Sequence, residues 1–378
     1  MILKDLKMII KKNVARQAKR ILIINPFGIG DVLFSTPILR ALKDKYPDCF
    51  IGYWCNERVQ SILENNKNID IIFALSKGDI KKLYKKSWFL GFSHLLKLFF
   101  EISKWKFDIS FDFSFDCYYG FISKFAGIKE RIGYDYKNRG RFLTKKTPLS
   151  GYLGKHVIEY HSDLLKAIGV PVTDKSMELT VSAQAEGEAE ELLWLSGVKD
   201  TDLLVGIAPG AGGSWGKDAI YKHWPVLRFS EVADKLALDF KAKVLLFGDN
   251  SETQLTEAII NVCKNKPINL AGKTSLSSLA AVIRKLNLLI SNDGGPMHMA
   301  VAQGVKTVAI FGPVDDLVYG PYPPSEDHLV IKSKIECRPC YNNFRLPSCD
   351  KDKECLNSIS ADEVFAVAEK LLNQGMTK

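Results

Sequence analysis

The chain has 378 residues, of which 46% are hydrophobic, 11% aromatic and 25% charged. This composition is typical of a folded protein with enough sequence for two domains, and it excludes a disulfide-stapled mini-protein, a disordered tail, a collagen-like repeat and a coiled coil. The net charge is +9, and residues 1–20 hold seven Lys or Arg against one Asp. Because the remaining chain is nearly balanced, we expect no nucleic acid among the partners.

No apolar stretch reaches the length of about 18 residues that a membrane-spanning helix needs. The nearest candidate, residues 88–100, is interrupted by Ser93, His94 and Lys97. Charged residues interrupt positions 1–20, so we expect no secretory signal there. These features predict a cytoplasmic protein.

Two segments have the pattern of helices that lie in a membrane interface. The apolar positions of residues 1–20 fall on one helical stripe among Lys and Arg, which predicts a basic amphipathic N-terminal segment. Residues 81–104 repeat the pattern, with Trp and Phe between lysines. Together they predict peripheral attachment to the anionic inner leaflet of the cytoplasmic membrane. The alternative for residues 81–104 is an ordinary buried helix.

Short runs rich in Ile, Val and Phe alternate with longer stretches of helical period, which predicts βαβ units and mostly parallel sheets. The alternation occurs in two successive series. In the first, the predicted strands are 21–25, 49–54, 69–74 and 107–113, and the predicted helices are 35–45, 56–65, 80–104 and 155–168. In the second, the predicted strands are 203–208, 244–247, 268–270, 288–291 and 307–311.

The two series predict an α/β protein with two doubly wound, Rossmann-like domains. A connection at residues 169–180 and a helix at 182–195 place the boundary near 170–200. Ser360 and Glu363 form a capping-box pattern that opens a last helix within 358–378. Paired domains of this kind bind ligands in a crevice between them, at the carboxyl ends of the strands.

The first predicted strand leads into the turn NPFGIGD, residues 25–31. Gly28 and Gly30 allow the backbone to approach a ligand, and Asp31 comes at the start of the next helix. A dinucleotide site needs a third glycine where this chain has Leu33, and an acid in the turn repels a pyrophosphate. The turn therefore suits a catalytic carboxylate, and the alternative is that Asp31 only caps the helix.

The second series begins with a glycine-rich turn, APGAGGSW at residues 208–215, and Lys222 follows it. Backbone N–H groups and one cation suit a diphosphate, although a flexible loop with a solvated Lys gives the same pattern. Glu252 follows the strand that ends in Phe247-Gly248. Its carboxylate is well placed for the two hydroxyls of a ribose, but a helix N-terminal acid looks the same in sequence.

The sharpest motif is SNDGGPMHMA, residues 291–300, which follows an apolar strand. Gly294 and Gly295 expose backbone N–H groups, and Pro296 suits the first turn of a helix, so an anion site is predicted at the helix start. Asp293 and His298 flank this site. An isolated His in such a helix is otherwise a packing residue.

Four segments together carry a resemblance to a known family. They are GIGD at 28–31, KHWP at 222–225, NDGGPMH at 292–298 and FGPVD at 311–315. Their order and spacing over residues 20–372 resemble glycosyltransferase family 9, the ADP-heptose:lipopolysaccharide heptosyltransferases. The resemblance implies the GT-B architecture, with an acceptor-binding domain at 21–175 and a nucleotide-sugar-binding domain at 176–357. It also implies transfer with inversion and without a metal ion.

The resemblance further implies roles for individual residues. Asp31 is the expected general base, Lys222 is expected to hold the donor diphosphate, and Glu252 the ribose. Asp293 and His298 are expected at the transferred sugar, and the amides of Gly294 and Gly295 at the phosphates. The segment 210–220 is longer than in lipopolysaccharide core enzymes, and Gly294 stands where those often have Thr, which bears on the identity of the donor sugar.

The expected acceptor is lipid-linked and acidic, such as Kdo carboxylates or phosphorylated lipid A. Residues 129–146 hold seven Lys or Arg against Glu130 and Asp135. We expect Arg131, Arg139 and Arg141, with Gly30, on the acceptor side. The alternative is a solvated basic loop.

Cys337, Cys340, Cys349 and Cys355 give the spacing C-x2-C-x8-C-x5-C within a Cys-rich tail, residues 337–355. Four thiols in a cytoplasmic protein fit a structural Zn or Fe site, and free or disulfide-linked cysteines are the alternative. Some family relatives that modify autotransporter proteins carry a four-Cys iron site. No cofactor is expected in the transfer step itself.

Three other functions are alternatives to this one, and the first of them is disfavoured by the residues present. A nicotinamide-dependent oxidoreductase requires the missing third glycine and a later acid. A non-catalytic nucleotide-sugar-binding module keeps the site without turnover. A family member that uses another nucleotide sugar or a protein acceptor has the same fold.

Overall fold

The computed structural model describes residues 7–10, 19–75, 77–212 and 215–376. The chain forms two compact units, each with its own β-sheet. The first unit comprises Met1–Tyr152 and Val157–Thr180, and the second comprises Leu153–His156 and Val181–Lys378. Across the described ranges, no helix has the length and apolarity to cross a membrane.

The first unit has a seven-stranded sheet with the order β1-β4-β3-β2-β5-β6-β7. All neighbouring strands are parallel except β1, which is antiparallel to β4. Its strands are β1 (Lys7–Ile10), β2 (Arg20–Asn25), β3 (Phe50–Cys55), β4 (Ile71–Ala74), β5 (Ile109–Asp112), β6 (Glu130–Tyr136) and β7 (Lys145–Leu149). Its helices are α1 (Ile29–Phe34), α2 (Thr36–Lys45), α3 (Gln60–Leu63), α4 (Lys77–Lys86), α5 (Trp88–Lys104), α6 (Cys117–Phe125) and α7 (Val157–Lys166), with a 3₁₀ turn at Glu57–Val59.

The second unit has a six-stranded, all-parallel sheet with the order β10-β9-β8-β11-β12-β13. Its strands are β8 (Leu204–Ala208), β9 (Lys243–Leu246), β10 (Ile268–Asn269), β11 (Leu288–Asn292), β12 (Thr307–Phe311) and β13 (His328–Lys332). Its helices are α8 (Ala183–Leu195), α9 (Val226–Asp239), α10 (Thr253–Val262), α11 (Leu276–Arg284), α12 (Gly295–Ala302), α13 (Asp316–Tyr319), α14 (Glu354–Asn357) and α15 (Ala361–Met376), with a 3₁₀ helix at Gly216–Lys222.

The central strands are buried along their whole length, in keeping with their mainly apolar sequences. Every residue of β3, β8, β11 and β12 is buried, because helical crossovers cover parallel sheets on both faces. In the second unit the buried Trp224 packs on Phe229, and its indole N–H donates to the carbonyl of Ile359 at 3.1 Å. That bond ties the segment before α15 to the core beneath α9.

The predicted fold class, two parallel α/β sheets, is confirmed, but some elements differ from prediction. Lys7–Ile10 is a strand paired with β4, so an amphipathic helix is wrong for these residues of the basic segment 1–20. Residues 1–6 and 11–18 lie outside the described residues, and Arg20 begins β2. Three further strands were not predicted: β6 and β7, at one edge of the first sheet, and β13, at one edge of the second. They lack a long apolar run, so only their pairing with strands distant in sequence identifies them. The basic stretch 129–146 is therefore largely two paired strands and their connecting turn.

Two glycines of the second unit provide a matched test of this packing. A Cβ at Gly206 in β8 would lie 2.5 Å from a Leu286 methyl and 2.6 Å from the Phe247 ring, whereas a Cβ at Gly187 in α8 meets nothing within 4 Å. We predict that Gly206→Ala lowers the free energy of unfolding by about 1–3 kcal/mol through overpacking. Gly187→Ala should raise it by up to about 1 kcal/mol through helix propensity. Urea unfolding followed by circular dichroism measures both, and equal effects would contradict the described packing.

Candidate active site

In the second unit, two loops leave the same edge of the sheet. Strands β8 and β11 are parallel neighbours with Ala208 opposite Ser291, so the segments that follow them start side by side. The fully buried Asn292 joins them. Its side-chain amide group donates to the Pro209 carbonyl at 2.5 Å, and its side-chain oxygen accepts from the backbone N–H of Trp224 at 3.4 Å. Sequence reasoning missed this residue, although a polar residue that ends an apolar strand was the available signal.

A buried ion pair lies beside this junction. The Lys222 ammonium is 2.7 Å from the Asp293 carboxylate, and the two side chains are only 3% and 8% exposed. The same ammonium lies 4.0 Å from the centre of the Trp215 ring. Moving two charges out of water costs several kcal/mol per ion, and the attraction between the two charges only roughly offsets this cost. A buried ion pair is therefore weak evidence that these residues stabilise the fold. Its position at the strand ends instead favours a binding role.

His298 lies one turn into α12 and is buried. Burial, together with the charge of Lys222, lowers the pKa of His298 from 6.5 to about 3. The imidazole is therefore neutral throughout the physiological pH range. It can exchange hydrogen bonds with a hydroxyl, but it does not bring positive charge to a phosphate.

Glu252 holds the glycine-rich turn in place. One carboxylate oxygen accepts from the N–H groups of Ala211 and Gly212 at 3.1 and 2.9 Å, and the other accepts from the Asp249 N–H at 3.1 Å. A Cβ at Gly210 would lie 1.9 Å from the carboxylate, so a glycine is required there. The loops after β8 and β9 are thus joined by one acid, which retains acceptor capacity on its two oxygens.

The Gly294-Gly295 step opens α12, where sequence analysis places an anion site. Gly294 is the N-cap, with extended backbone at φ −174°, and Gly295 and Pro296 are the first two helical residues. A Cβ at Gly294 would meet nothing closer than 3.8 Å. The position therefore accepts a side chain such as Thr without a backbone change.

In the first unit, Asp31 is the third residue of α1 and lies just beyond the carboxyl end of β2. Its carboxylate accepts from the Gly28 N–H at 3.2 Å, and its carbonyl accepts from the Asn25 side chain at 2.8 Å. The capping role considered in the sequence analysis is thus present. The side chain is only half-buried, so capping does not seal the carboxylate from solvent.

The three predicted acceptor arginines lie in different surroundings. Arg131 donates to the backbone carbonyls of Phe142, at 2.6 Å, and Ile128, so its guanidinium is used to hold the turn between β6 and β7. Arg139 and Arg141 are exposed. The structure thus gives Arg131 a structural role and leaves the other two accessible.

Arg139 borders a small surface pocket that also touches Asp112 and Asp116. Asp112 ends β5 and lies opposite Ile24 of β2, at the edge from which the Asp31 turn departs. Burial raises the pKa of Asp112 to about 6, although it accepts two hydrogen bonds from Ser114. Sequence reasoning did not single out Asp112, whose signal was an acid closing an apolar strand.

A profile of glycosyltransferase family 9 (heptosyltransferase) matches residues 95–346, which is more than half of the chain. The chain belongs to glycosyltransferase family 9. The matched range contains Lys222, Glu252, Asp293 and His298, whereas Asp31 precedes it.

Relatives and solved structures of the family cover nearly the whole chain. "Lipopolysaccharide heptosyltransferase 3" of Escherichia coli is 26% identical over 353 residues, which is 91% of this chain and 95% of that protein. The crystal structure of the glycosyl transferase family 9 protein from Veillonella parvula is 28% identical, with a TM-score of 0.78 over 96% of this chain and 100% of that one. The structure of "E. coli heptosyltransferase WaaC with ADP", at 17% identity and a TM-score of 0.68 over 93% and 99%, supports the fold alone.

The four late cysteines of this family member border one surface pocket. Cys337 and Cys349 are exposed, Cys340 is half-buried and Cys355 is buried. Burial, and then the neighbouring thiols, raises the pKa of Cys355 to about 11. Within the described ranges, no group of three or more His, Cys, Asp or Glu side chains is arranged to hold a metal ion.

We predict that His298 does not titrate between pH 8 and pH 5, because burial and the Lys222 charge oppose protonation. The ring ¹H and ¹³C signals, assigned with a His298→Gln spectrum, should keep the shifts of a neutral imidazole. In Lys222→Met the pKa should rise, since the repelling cation is gone. A wild-type midpoint near the ordinary value of 6.5 would contradict this description.

Proposed function

We propose that this protein transfers heptose from ADP-heptose to an inner-core lipopolysaccharide acceptor of the Kdo–lipid A type, with inversion and without a metal ion in the transfer step. The observation that carries the proposal is the buried Lys222–Asp293 pair at the strand ends of a family 9 enzyme. The E. coli relative that is named a lipopolysaccharide heptosyltransferase supports the sugar and the pathway.

The donor binds at the edge of the second sheet in this proposal. Lys222 supplies positive charge to the diphosphate, and the amides of Gly294 and Gly295 donate hydrogen bonds to its oxygens. Glu252, already oriented by three backbone N–H groups, accepts from the ribose hydroxyls. Asp293 and the neutral His298 contact hydroxyls of the transferred sugar.

Asp31 acts as the general base. It takes the proton of the acceptor hydroxyl while that oxygen attacks the anomeric carbon from the face opposite the diphosphate. The new carbon–oxygen bond forms as the bond to the β-phosphate oxygen breaks, and ADP leaves with the electron pair. Lys222 and the α12 amides stabilise the negative charge that develops on ADP.

The acceptor is lipid-linked and acidic. The exposed Arg139 and Arg141 suit carboxylates and phosphates, and the Gly30 backbone lies in the first turn of α1 beside Asp31. A lipid-linked acceptor places the enzyme at the cytoplasmic membrane, attached peripherally to the inner leaflet. Transfer to a protein, or from another nucleotide sugar, is the alternative within the family.

We predict that Asp31→Asn lowers the transfer rate by about 10²–10⁴-fold, the usual contribution of a general base. Asn keeps an oxygen for the Gly28 N–H, so the loss would not reflect a broken cap. The measurement is mass-spectrometric detection of heptose added from ADP-heptose to Kdo–lipid A.

Asp44→Asn, an exposed acid on α2, is the matched control and should keep the wild-type rate. Equal rates for Asp31→Asn and wild type would remove Asp31 as the base. No transfer by wild type despite ADP binding would shift the proposal to another sugar or a protein acceptor.

We also propose that the four late cysteines hold a structural Zn or Fe ion. The support is their shared pocket and the Lys353 N–H, which donates to the Cys349 sulfur at 3.3 Å as N–H groups do to metal-bound thiolates. The four thiols are not arranged as a metal site in the described residues, so binding requires them to rearrange. Metal would also have to displace thiol protons, which makes binding stronger at higher pH.

Elemental analysis of protein purified without a metal-affinity tag should find about one equivalent of zinc or iron per chain. Cys340→Ser should lose it, and Cys263→Ser, a buried cysteine elsewhere in the same unit, should retain it. The proposal would be refuted if wild-type protein contained no metal and its four late cysteines all reacted with a thiol reagent.

A further inference from the structure

The helix α5 carries a stripe of exposed apolar side chains. Trp88, Phe92, Leu96 and Phe100 recur at every fourth position, which places them along one helical face, and they are 69%, 38%, 37% and 63% exposed. Phe89, beside the stripe, is 72% exposed. A contiguous exposed patch of this kind marks an interaction site, unlike single exposed apolar residues.

The stripe is not simply a loosely packed core face. Leu98 and Ile102 of the same helix are buried in the core of the first unit, so the helix is already anchored by its other side. The rings of Trp88 and Phe92 stack on each other, with centroids 5.2 Å apart, and both side chains remain partly exposed. The view of residues 81–104 as an ordinary buried helix is therefore wrong for this face.

A second aromatic pair lies on α6, which packs against α5. Phe121 and Phe125 are 40% and 56% exposed, with ring centres 4.5 Å apart. Phe142, with the Arg141 guanidinium over its ring at 4.9 Å, packs on Phe121. A second exposed aromatic pair thus lies on a helix of the same unit that contacts α5.

Positive charge is concentrated in the same segments, and the Lys124 ammonium lies 6.0 Å from the centre of the Phe125 ring. Residues 77–106 contain eight Lys against one Asp and one Glu, a net charge of +6. The side chains of Lys81, Lys85, Lys86, Lys104 and Lys106 are exposed, and so is Lys124 of α6. Trp and Phe on one face with Lys at the border is the composition of helices that lie in the headgroup region of anionic bilayers.

We propose that the α5–α6 aromatic surface, formed by Trp88, Phe89, Phe92, Leu96, Phe100, Phe121 and Phe125, is the site by which the protein docks on an anionic lipid bilayer. The aromatic rings enter the headgroup region, and the lysines contact lipid phosphates. This docking rests on the proposed function, because it brings the first unit to a lipid-linked acceptor. Since none of the described helices can cross a membrane, the helix lies on the bilayer.

Co-sedimentation with vesicles tests the proposal. Wild type should bind phosphatidylglycerol-rich vesicles at low salt, bind phosphatidylcholine vesicles at least about tenfold less, and lose binding as salt is raised. The triple variant Trp88→Ser/Phe89→Ser/Phe100→Ser should lose at least about tenfold in partitioning.

The matched control is Trp194→Ser/Leu195→Ser/Leu238→Ser in the second unit, where the side chains are 73%, 67% and 73% exposed. It removes equally exposed apolar groups and should bind vesicles as wild type does. The proposal would be overturned if both triple variants lost vesicle binding equally, or if the α5 variant bound vesicles as well as wild type does. If wild type does not bind vesicles but forms a dimer without lipid, and the α5 variant alone is monomeric, the surface is an interface between copies of this chain instead.

A transfer assay on a deacylated, water-soluble acceptor separates this proposal from the proposed function. The α5 variant should transfer to this acceptor at the wild-type rate, while its transfer to vesicle-bound acceptor falls. If wild type binds vesicles but transfers no heptose, docking stands and the proposed function fails.

Discussion

The buried ion pair between Lys222 and Asp293 is the interaction on which the candidate site depends. Two charges out of water are tolerated only with close geometry, and here neighbouring strand ends supply it. Asn292 fixes the β8 and β11 loops to each other, Glu252 fixes the β8 and β9 loops, and Lys222 also depresses the pKa of His298. The site proposed for the donor therefore has its ammonium group and its backbone N–H groups in place before a ligand arrives, which is what stabilisation of a leaving diphosphate would require.

Much of the fold followed from local sequence pattern. The strands β2, β3, β8, β11 and β12 are built around short apolar runs, as expected for strands buried between helices. The edge strands did not follow, because β1 and β7 owe their conformation to a partner strand rather than to their own residues. The basic segment 129–146 shows the same effect: its charge pattern indicated a ligand surface, but pairing and turn formation account for much of it, including Arg131.

The sequence allowed the residues of the candidate site to be located, but not the contacts that they make with one another. The glycines and acids after strands could be located, since parallel strands bring their carboxyl ends to one edge. The burial of Lys222 against Asp293 and the hydrogen bond from the Gly212 amide to Glu252 depend on how loops fold back over that edge. The burial of Asp112 opposite Ile24 depends on the pairing of β5 with β2 in the other sheet. The exposed α5 face was also ambiguous, because an aromatic helix looks the same in sequence whether it is buried or not.

The central claim is that Lys222 serves the donor diphosphate rather than only the stability of the fold. Calorimetric titration of wild type and Lys222→Met with ADP and with adenosine tests it most directly, once circular dichroism has shown that the variant is folded. If Lys222 binds the diphosphate, wild type should prefer ADP over adenosine, and this preference should fall by about 10–100-fold in Lys222→Met, the value of a hydrogen bond to a charged group, while the affinity for adenosine is unchanged. An unaltered preference for ADP in the folded variant would contradict it.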